Sequence, residues 1–316
     1  MRIDWHSHVW RSEHLEPEWG PELDANVAPA PAPSTLGHYR DHIAAMDEAG
    51  VDVAIVLALV SCHVDLEIPN EYVAGFVEQN PTRAIGFASV DPSDPQAVDK
   101  LKYAATDLGL KGLKLSPPYQ GFHPHSPEAF RIYQVAADLG LVITFHQGGV
   151  FLRRGFLEFA SPALLDKVAR SFPSMKIIVA HMGQPWVPET VAVMFKNPNV
   201  FADLSARYGR PWQLYQILMN ITDYGVTDRV LFGSDFPIYR PAVCLEQFRA
   251  LGQVPTNGLP PLDPAMIEGI IENRPLSLLG LEIPGIGSGS TSASGLAVSG
   301  PEAAVSSDPE AVHGPA

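Results

Sequence analysis

Cysteine is nearly missing from this chain: Cys62 and Cys244 are the only two in 316 residues. That excludes a disulfide framework, a four-cysteine zinc site and an iron–sulfur cluster, and it predicts a reducing compartment. Basic residues are scarce as well, with 21 Lys and Arg against 35 Asp and Glu and a net charge of −14. Nucleic acid and anionic membrane surfaces are therefore excluded as partners, because both would meet repulsion. The longest apolar run, Val53 to Val60, falls far short of the roughly 20 residues that span a bilayer. The start, Met1-Arg2-Ile3-Asp4-Trp5-His6, turns polar at once where a secretory leader would need an apolar run, so a cytoplasmic protein is expected. No Gly-x-Ser-x-Gly elbow and no Walker loop occur, which removes two common catalytic plans. What remains is ordinary globular composition, 46% hydrophobic and 18% charged, long enough to bury a large core.

Short β-branched or apolar runs recur along the chain: Arg2–His6, Val51–Leu59, Ala84–Val90, Lys111–Leu115, Leu141–His146, Lys176–His181, Asn199–Leu204 and Arg229–Asp235. Between them lie segments with apolar residues at three-to-four spacing, among them Leu36 to Ala49, Glu71 to Gln79, Pro127 to Leu139 and Pro162 to Phe172. Alternating strands and helices imply a parallel sheet. Eight such units predict an α/β fold of the (β/α)8 TIM-barrel type over residues 1–282. An open doubly wound sheet is the rival, but the chain has no Gly-rich phosphate turn to suit it.

Two segments stand outside the pattern. Residues 9–35, rich in proline, form a long connection after the first strand, where it can cap the barrel mouth. Residues 283–316 are dominated by Gly, Ser, Ala and Pro and contain no Lys or Arg, so a disordered tail is expected.

In the first strand, Asp4, His6 and His8 sit at period two and are expected on one face. Alone, a His-x-His pair reads equally well as two hydrogen-bonded histidines. The odds change because His146 ends the fifth run, His181 the sixth and Asp235 the eighth. In a parallel barrel the C-terminal strand ends share one face, so these groups converge there although they are remote in sequence. Imidazoles with a carboxylate suit Zn²⁺, with Mn²⁺ or Fe²⁺ as further options.

The segments Ile3-Asp4-Trp5-His6-Ser7-His8, Thr144-Phe145-His146-Gln147-Gly148, Val179-Ala180-His181-Met182-Gly183 and Leu231-Phe232-Gly233-Ser234-Asp235-Phe236-Pro237 resemble the amidohydrolase-related (amidohydrolase 2) family of metal-dependent TIM-barrel enzymes. The ending Ile271-Glu272-Asn273-Arg274 to Leu279-Gly280 is similar to that family's last helix. The resemblance covers residues 1–282. It implies that His6, His8, His146 and Asp235 bind the metal and that His181 is the catalytic histidine. The family contains hydrolases, lactonases and non-oxidative decarboxylases similar to aminocarboxymuconate semialdehyde decarboxylase, so membership does not choose the reaction.

Lys111 to Phe122 is similar to a segment of the family's hydrolases, and alternation lets Lys114 point inward. Three readings of it compete: a cation that anchors a substrate oxygen, a carboxylated bridge between two metals, and a lysine whose stem packs while its ammonium reaches water. Arg207, shortly after Asp203, can reach a substrate carboxylate or lie on the surface. His14, His38, His42, His63, His123 and His125 fall in loops or on helix faces and read as exposed or hydrogen-bonded. Trp186 is placed near the mouth, and Cys62 is read as a buried thiol rather than a nucleophile.

The function expected is hydrolysis of a small carbonyl substrate, a lactone, an ester or a cleavable β-dicarbonyl, by a metal-activated water. In that scheme His181 and Asp235 move protons and Lys114 orients the substrate. The alternative is decarboxylation of an aromatic or unsaturated carboxylic acid by the same groups. Exposed helix faces permit a homodimer, but no pattern specifies one.

Overall fold

The computed structural model describes residues 1–15, 19–26, 33–253, 258–272 and 274–283. The segment expected to be disordered beyond Ile283 lies outside these residues, as does Asn273 of the last-helix motif. Eight parallel strands form one sheet in chain order: β1 (Ile3–Ser7), β2 (Val53–Leu57), β3 (Ala84–Ser89), β4 (Gly112–Leu115), β5 (Val142–His146), β6 (Ile177–Ala180), β7 (Val200–Asp203) and β8 (Val230–Leu231). The ends meet, because Trp5 N–H donates to Phe232 O at 2.9 Å, Asp235 N–H to His6 O at 2.8 Å and His8 N–H to Phe236 O at 2.7 Å. The expected TIM barrel is thus what the chain forms, and the open-sheet rival is excluded.

The helices follow their patterns closely. The expected Leu36–Ala49 and Pro127–Leu139 segments are observed as Tyr39–Ala49 and Pro127–Asp138. Ser126 caps the latter by accepting the Ala129 N–H, with proline in the first turn, where a missing N–H costs nothing. The helix Tyr39–Ala49 ends at Gly50 with φ 61°, a left-handed stop that glycine adopts freely. Among the described residues no helix is long and apolar enough to cross a membrane.

Three departures have local causes. The run Val51–Leu59 is interrupted, and its end pairs instead as a two-stranded antiparallel ribbon, Leu59–Ser61 with Leu66–Ile68, outside the barrel. The eighth run is strand only at Val230–Leu231. Beyond it Gly233 presses on β1, where a Cβ would lie 2.8 Å from His6 Cβ, and Asp235 turns into the left-handed region at φ 69°. Finally, β1 changes register against β2 between Asp4 and Ser7, which breaks strict alternation. Asp4 therefore does not act with the two histidines. Its carboxylate accepts from His6 N–H at 3.2 Å, Ser234 N–H at 2.9 Å and the Ser234 hydroxyl.

Inside the barrel the N-terminal end is plugged by Trp5, Ile55, Phe87, Ile178 and Phe201. Leu276, Leu279, Leu281 and Ile283 close it from below, and Ile283 is only 5% exposed. Leu279, Leu281 and Ile283 continue one apolar face at the foot of the barrel. A chain ending at Ile283 should keep the melting temperature and metal content of the full protein. A chain ending at Gly280 should lose about 3–6 kcal/mol from the removal of two buried aliphatic side chains, which urea unfolding measures.

Candidate metal centre

At the opposite end of the barrel the apolar filling gives way to polar strand ends. His6, His8, Lys114, His146, His181 and Asp235 together line an inner chamber of about 50 Å³. His6, His8, His181 and Asp235 are each below 9% exposed, and Lys114 is at 2%. The connection after β1 covers this chamber in part: Trp10 and Trp19 line it and meet edge-to-face at 6.1 Å. Residues 16–18 and 27–32 of that connection lie outside the described set.

The tautomers can be read from the fixed partners. His8 Nδ1 lies 2.9 Å from Leu57 O, a carbonyl that can only accept, so Nδ1 carries the proton and Nε2 is the open nitrogen. His6 Nδ1 lies 2.9 Å from Asp203 Oδ2, with the same consequence for its Nε2. Those two Nε2 atoms lie 3.4 and 3.6 Å from Asp235 Oδ1. Ligands about 2.0–2.2 Å from one tetrahedral ion stand roughly 3.3–3.6 Å apart, so the spacing fits a shared divalent cation. Burial pushes His8 and His146 down to about 3 and His6 and His181 well below the usual histidine value, so all four are neutral donors.

His181 is held by a relay. The Ser205 hydroxyl donates to Asp203 Oδ1, so its oxygen is left to accept from His181 Nδ1 at 2.7 Å. Asp203 also accepts the backbone N–H groups of His181 and Ser205 at 3.1 and 3.0 Å. One buried carboxylate thereby orients His6 and His181 together, in the manner of carboxylate–histidine pairs behind metal sites. Open atoms of His6, His181 and Asp235 lie within 4.8 Å of one another. The tightest group therefore contains His181, the residue the sequence assigns to chemistry, while His146 stands against His181 with ring centroids 4.9 Å apart. His146 Nε2 faces Gly149 O at 3.4 Å, which leaves Nδ1 as its open nitrogen.

Lys114 points inward as alternation predicts, with Nζ 3.3 Å from His6 Nε2. This contradicts the reading in which its ammonium reaches water. Burial lowers Lys114 and raises Asp235, and each charge partly offsets the shift of the other.

Beyond the chamber opens a cavity of about 390 Å³ lined by His146, His181, Asp235, Arg207, Arg210 and Tyr239 among others. Its wall joins the loops after β5 and β6 through Gly149 N–H donating to Gln184 O at 2.6 Å. Gly148 permits that approach with φ 110°, since a Cβ there would sit 2.4 Å from Gln184 O. From the loop after His181, Gln184 and Pro185 line the cavity, whereas Trp186 stands at the start of the helix Val187–Lys196. Cys62 is exposed, contrary to the expectation of a buried thiol, because it belongs to the turn of the outer ribbon. Desolvation and Asp91 raise its pKa, so it has no thiolate character. His63 lies near the surface, facing Arg154 O at 2.7 Å, and His42 is buried against the Ser7 hydroxyl at 2.9 Å, so neither joins the site.

Asp203 and Ser205 were not legible as site residues, since a carboxylate at a strand end carries no signal of what stands across the barrel. Asp203→Asn should reduce metal affinity about 10–100-fold, measured by chelator competition, while the barrel keeps its far-ultraviolet dichroism.

A family model described as "Amidohydrolase" matches residues 3–281. A dihydroorotase of Helicobacter acinonychis is 27% identical over 154 residues, covering 46% of this chain and 43% of that protein. A 2-amino-3-carboxymuconate-6-semialdehyde decarboxylase of Dictyostelium discoideum is 23% identical over 153 residues, covering 43% of this chain and 42% of that protein. The matched region thus spans about two fifths of the length of these relatives. Among solved structures, an uncharacterized TIM-barrel protein of Bordetella bronchiseptica superposes with a TM-score of 0.72 at 20% identity, over 89% of this chain and 99% of that one. A dihydroxybenzoic acid decarboxylase of Polaromonas, with bound manganese, gives 0.62 at 16% identity over 88% and 96%. Both likenesses concern the fold.

Proposed function

From a chain that belongs to the amidohydrolase family, we propose a metal-dependent hydrolase of a small carbonyl substrate, a lactone, an ester or a cleavable β-dicarbonyl. The observation that carries this reading is the state of His181. The Ser205 hydroxyl, which donates to Asp203, accepts a hydrogen bond from His181 Nδ1–H at 2.7 Å, and this leaves Nε2 as a proton acceptor. Hydrolysis needs an acceptor for the proton of the attacking water.

His6, His8, His146 and Asp235 would hold the ion, Zn²⁺ or another divalent metal such as Mn²⁺ or Fe²⁺. When bound, such an ion polarises a carbonyl and lowers the pKa of water toward about 7. Asp235, whose carboxylate lies beside His6 and His8, receives the water's proton and passes it to His181 Nε2. His181 then returns the proton to the departing oxygen. Lys114 orients the substrate oxygen as a fixed cation, and Trp10 and Trp19 exclude bulk water from the chamber.

The test is product analysis of turnover in ¹⁸O-enriched water against a panel of lactones, esters and aromatic carboxylates. One solvent oxygen in the product is expected. Release of CO₂ without oxygen incorporation would overturn the hydrolytic reading in favour of a carboxy-lyase.

A further inference from the structure

Two arginines, Arg207 and Arg210, line the cavity, and the acid that shares it, Asp235, forms no ion pair with either. Arg207 is half-buried, its Nε is shielded from solvent, and that Nε has no hydrogen-bond partner in the protein. The Arg210 side chain donates to the Ala206 carbonyl at 3.4 Å. Among the described residues neither forms an ion pair, in a chain whose net charge is −14. A third orphan accompanies them, since Gln213 Oε1 is buried and unpartnered on the same wall. The helix Pro211–Asp223 begins directly after Arg210, so its positive end adds to the same region. Leaving a guanidinium partly desolvated and unpaired is costly unless something supplies the missing partner. Burial first and then neighbouring Arg210 weigh against the charge of Arg207, which falls to about 10 although Tyr239, Asp235 and Asp203 partly offset the shift.

We propose that Arg207, with Arg210 beside it, docks a carboxylate that the substrate carries away from its reacting carbonyl. This rests on the hydrolytic reading for the place of the carbonyl, which lies at the His181 and Asp235 end of the same cavity. A planar guanidinium matches a carboxylate in two parallel hydrogen bonds, and the neutral alternatives leave Arg207 as unsatisfied as it is in the free protein. Tyr239 and Phe151 add aromatic surface to the cavity lining. The substrate class is therefore a lactone or ester acid of about one ring in size, since the cavity of about 390 Å³ is at the small end of ligand sites.

Calorimetric binding to the full-length, metal-loaded protein tests this with glutarate, isophthalate, dimethyl isophthalate and phenyl phosphate as probes. At least one dicarboxylate should bind, and the dimethyl ester should not. Arg207→Met should weaken that binding about 10- to 100-fold, Arg207→Lys should restore part of it, and Arg210→Met should have a smaller effect. Melting temperature and metal content confirm that the variants are folded. Equal affinity for Arg207→Met, or no binding by any carboxylate, would overturn the proposal. Tighter binding of phenyl phosphate through Arg207 would overturn the carboxylate in favour of a phosphate. The two readings fail separately. If lactones without a carboxylate are hydrolysed as fast as lactone acids, the Arg207 proposal falls and hydrolysis stands. If carboxylates bind through Arg207 while no lactone or ester is turned over, the reverse holds.

Discussion

Replacing His181 by alanine should leave about one divalent ion per chain in place while turnover falls about 10²–10⁴-fold. His6→Ala and Asp235→Ala should instead lose metal and activity together. The distinction follows from the proposed roles: three histidines and Asp235 complete a ligand set, whereas His181 is oriented by Ser205 and Asp203 as a proton carrier. Elemental analysis of the purified variants and steady-state rates decide it. The grouping of His181 with His6 and Asp235 within 4.8 Å makes the test severe. A metal-free His181 variant would make this residue a ligand and the site a binuclear one.

Lys114→Met carries the second large effect. As an anchor, Lys114 stands beside His6 without replacing it, so the variant should keep its metal and lose substrate affinity and turnover by about 10²-fold or more. As a carboxylated bridge, the same change should lower the stoichiometry from two ions to one or none, and bicarbonate should aid reloading of the unmutated apo-protein. The closeness of Nζ to His6 Nε2, 3.3 Å, puts either role within reach of the ligands. Metal stoichiometry before and after the substitution separates them.

The sequence displays the barrel and its strand-end chemistry because both are written locally. A run of apolar residues ending in histidine or aspartate declares a strand and its polar tip, parallel closure brings the tips together, and alternation along β4 turns Lys114 inward. His6, His8, Lys114, His146, His181 and Asp235 were accessible in this way. Asp203 and Ser205 were not, because their role depends on β7 standing behind both His6 and His181, and Asp203 is 197 residues from His6 in sequence. Arg207 could be placed only as a residue after a strand; its orphaned Nε appears once Ala206 turns left-handed at φ 59° and brings the side chain to the cavity wall. The outer ribbon that exposes Cys62 was hidden inside an apolar run, since periodicity cannot tell where one strand stops and another begins.

Asp4 sits on the seam where the first and last strands meet, holding Ser234 through both its N–H and its hydroxyl. The ligands at stake are the immediate neighbours of that latch, His6 on one side and Asp235 on the other. Assembly of the site and completion of the barrel are therefore one event, joining residues some 230 positions apart in sequence. Contacts of such long span form late, after shorter loops have closed. Closing the barrel is also what brings the Asp235 carboxylate to 3.4 and 3.6 Å from the open nitrogens of His6 and His8.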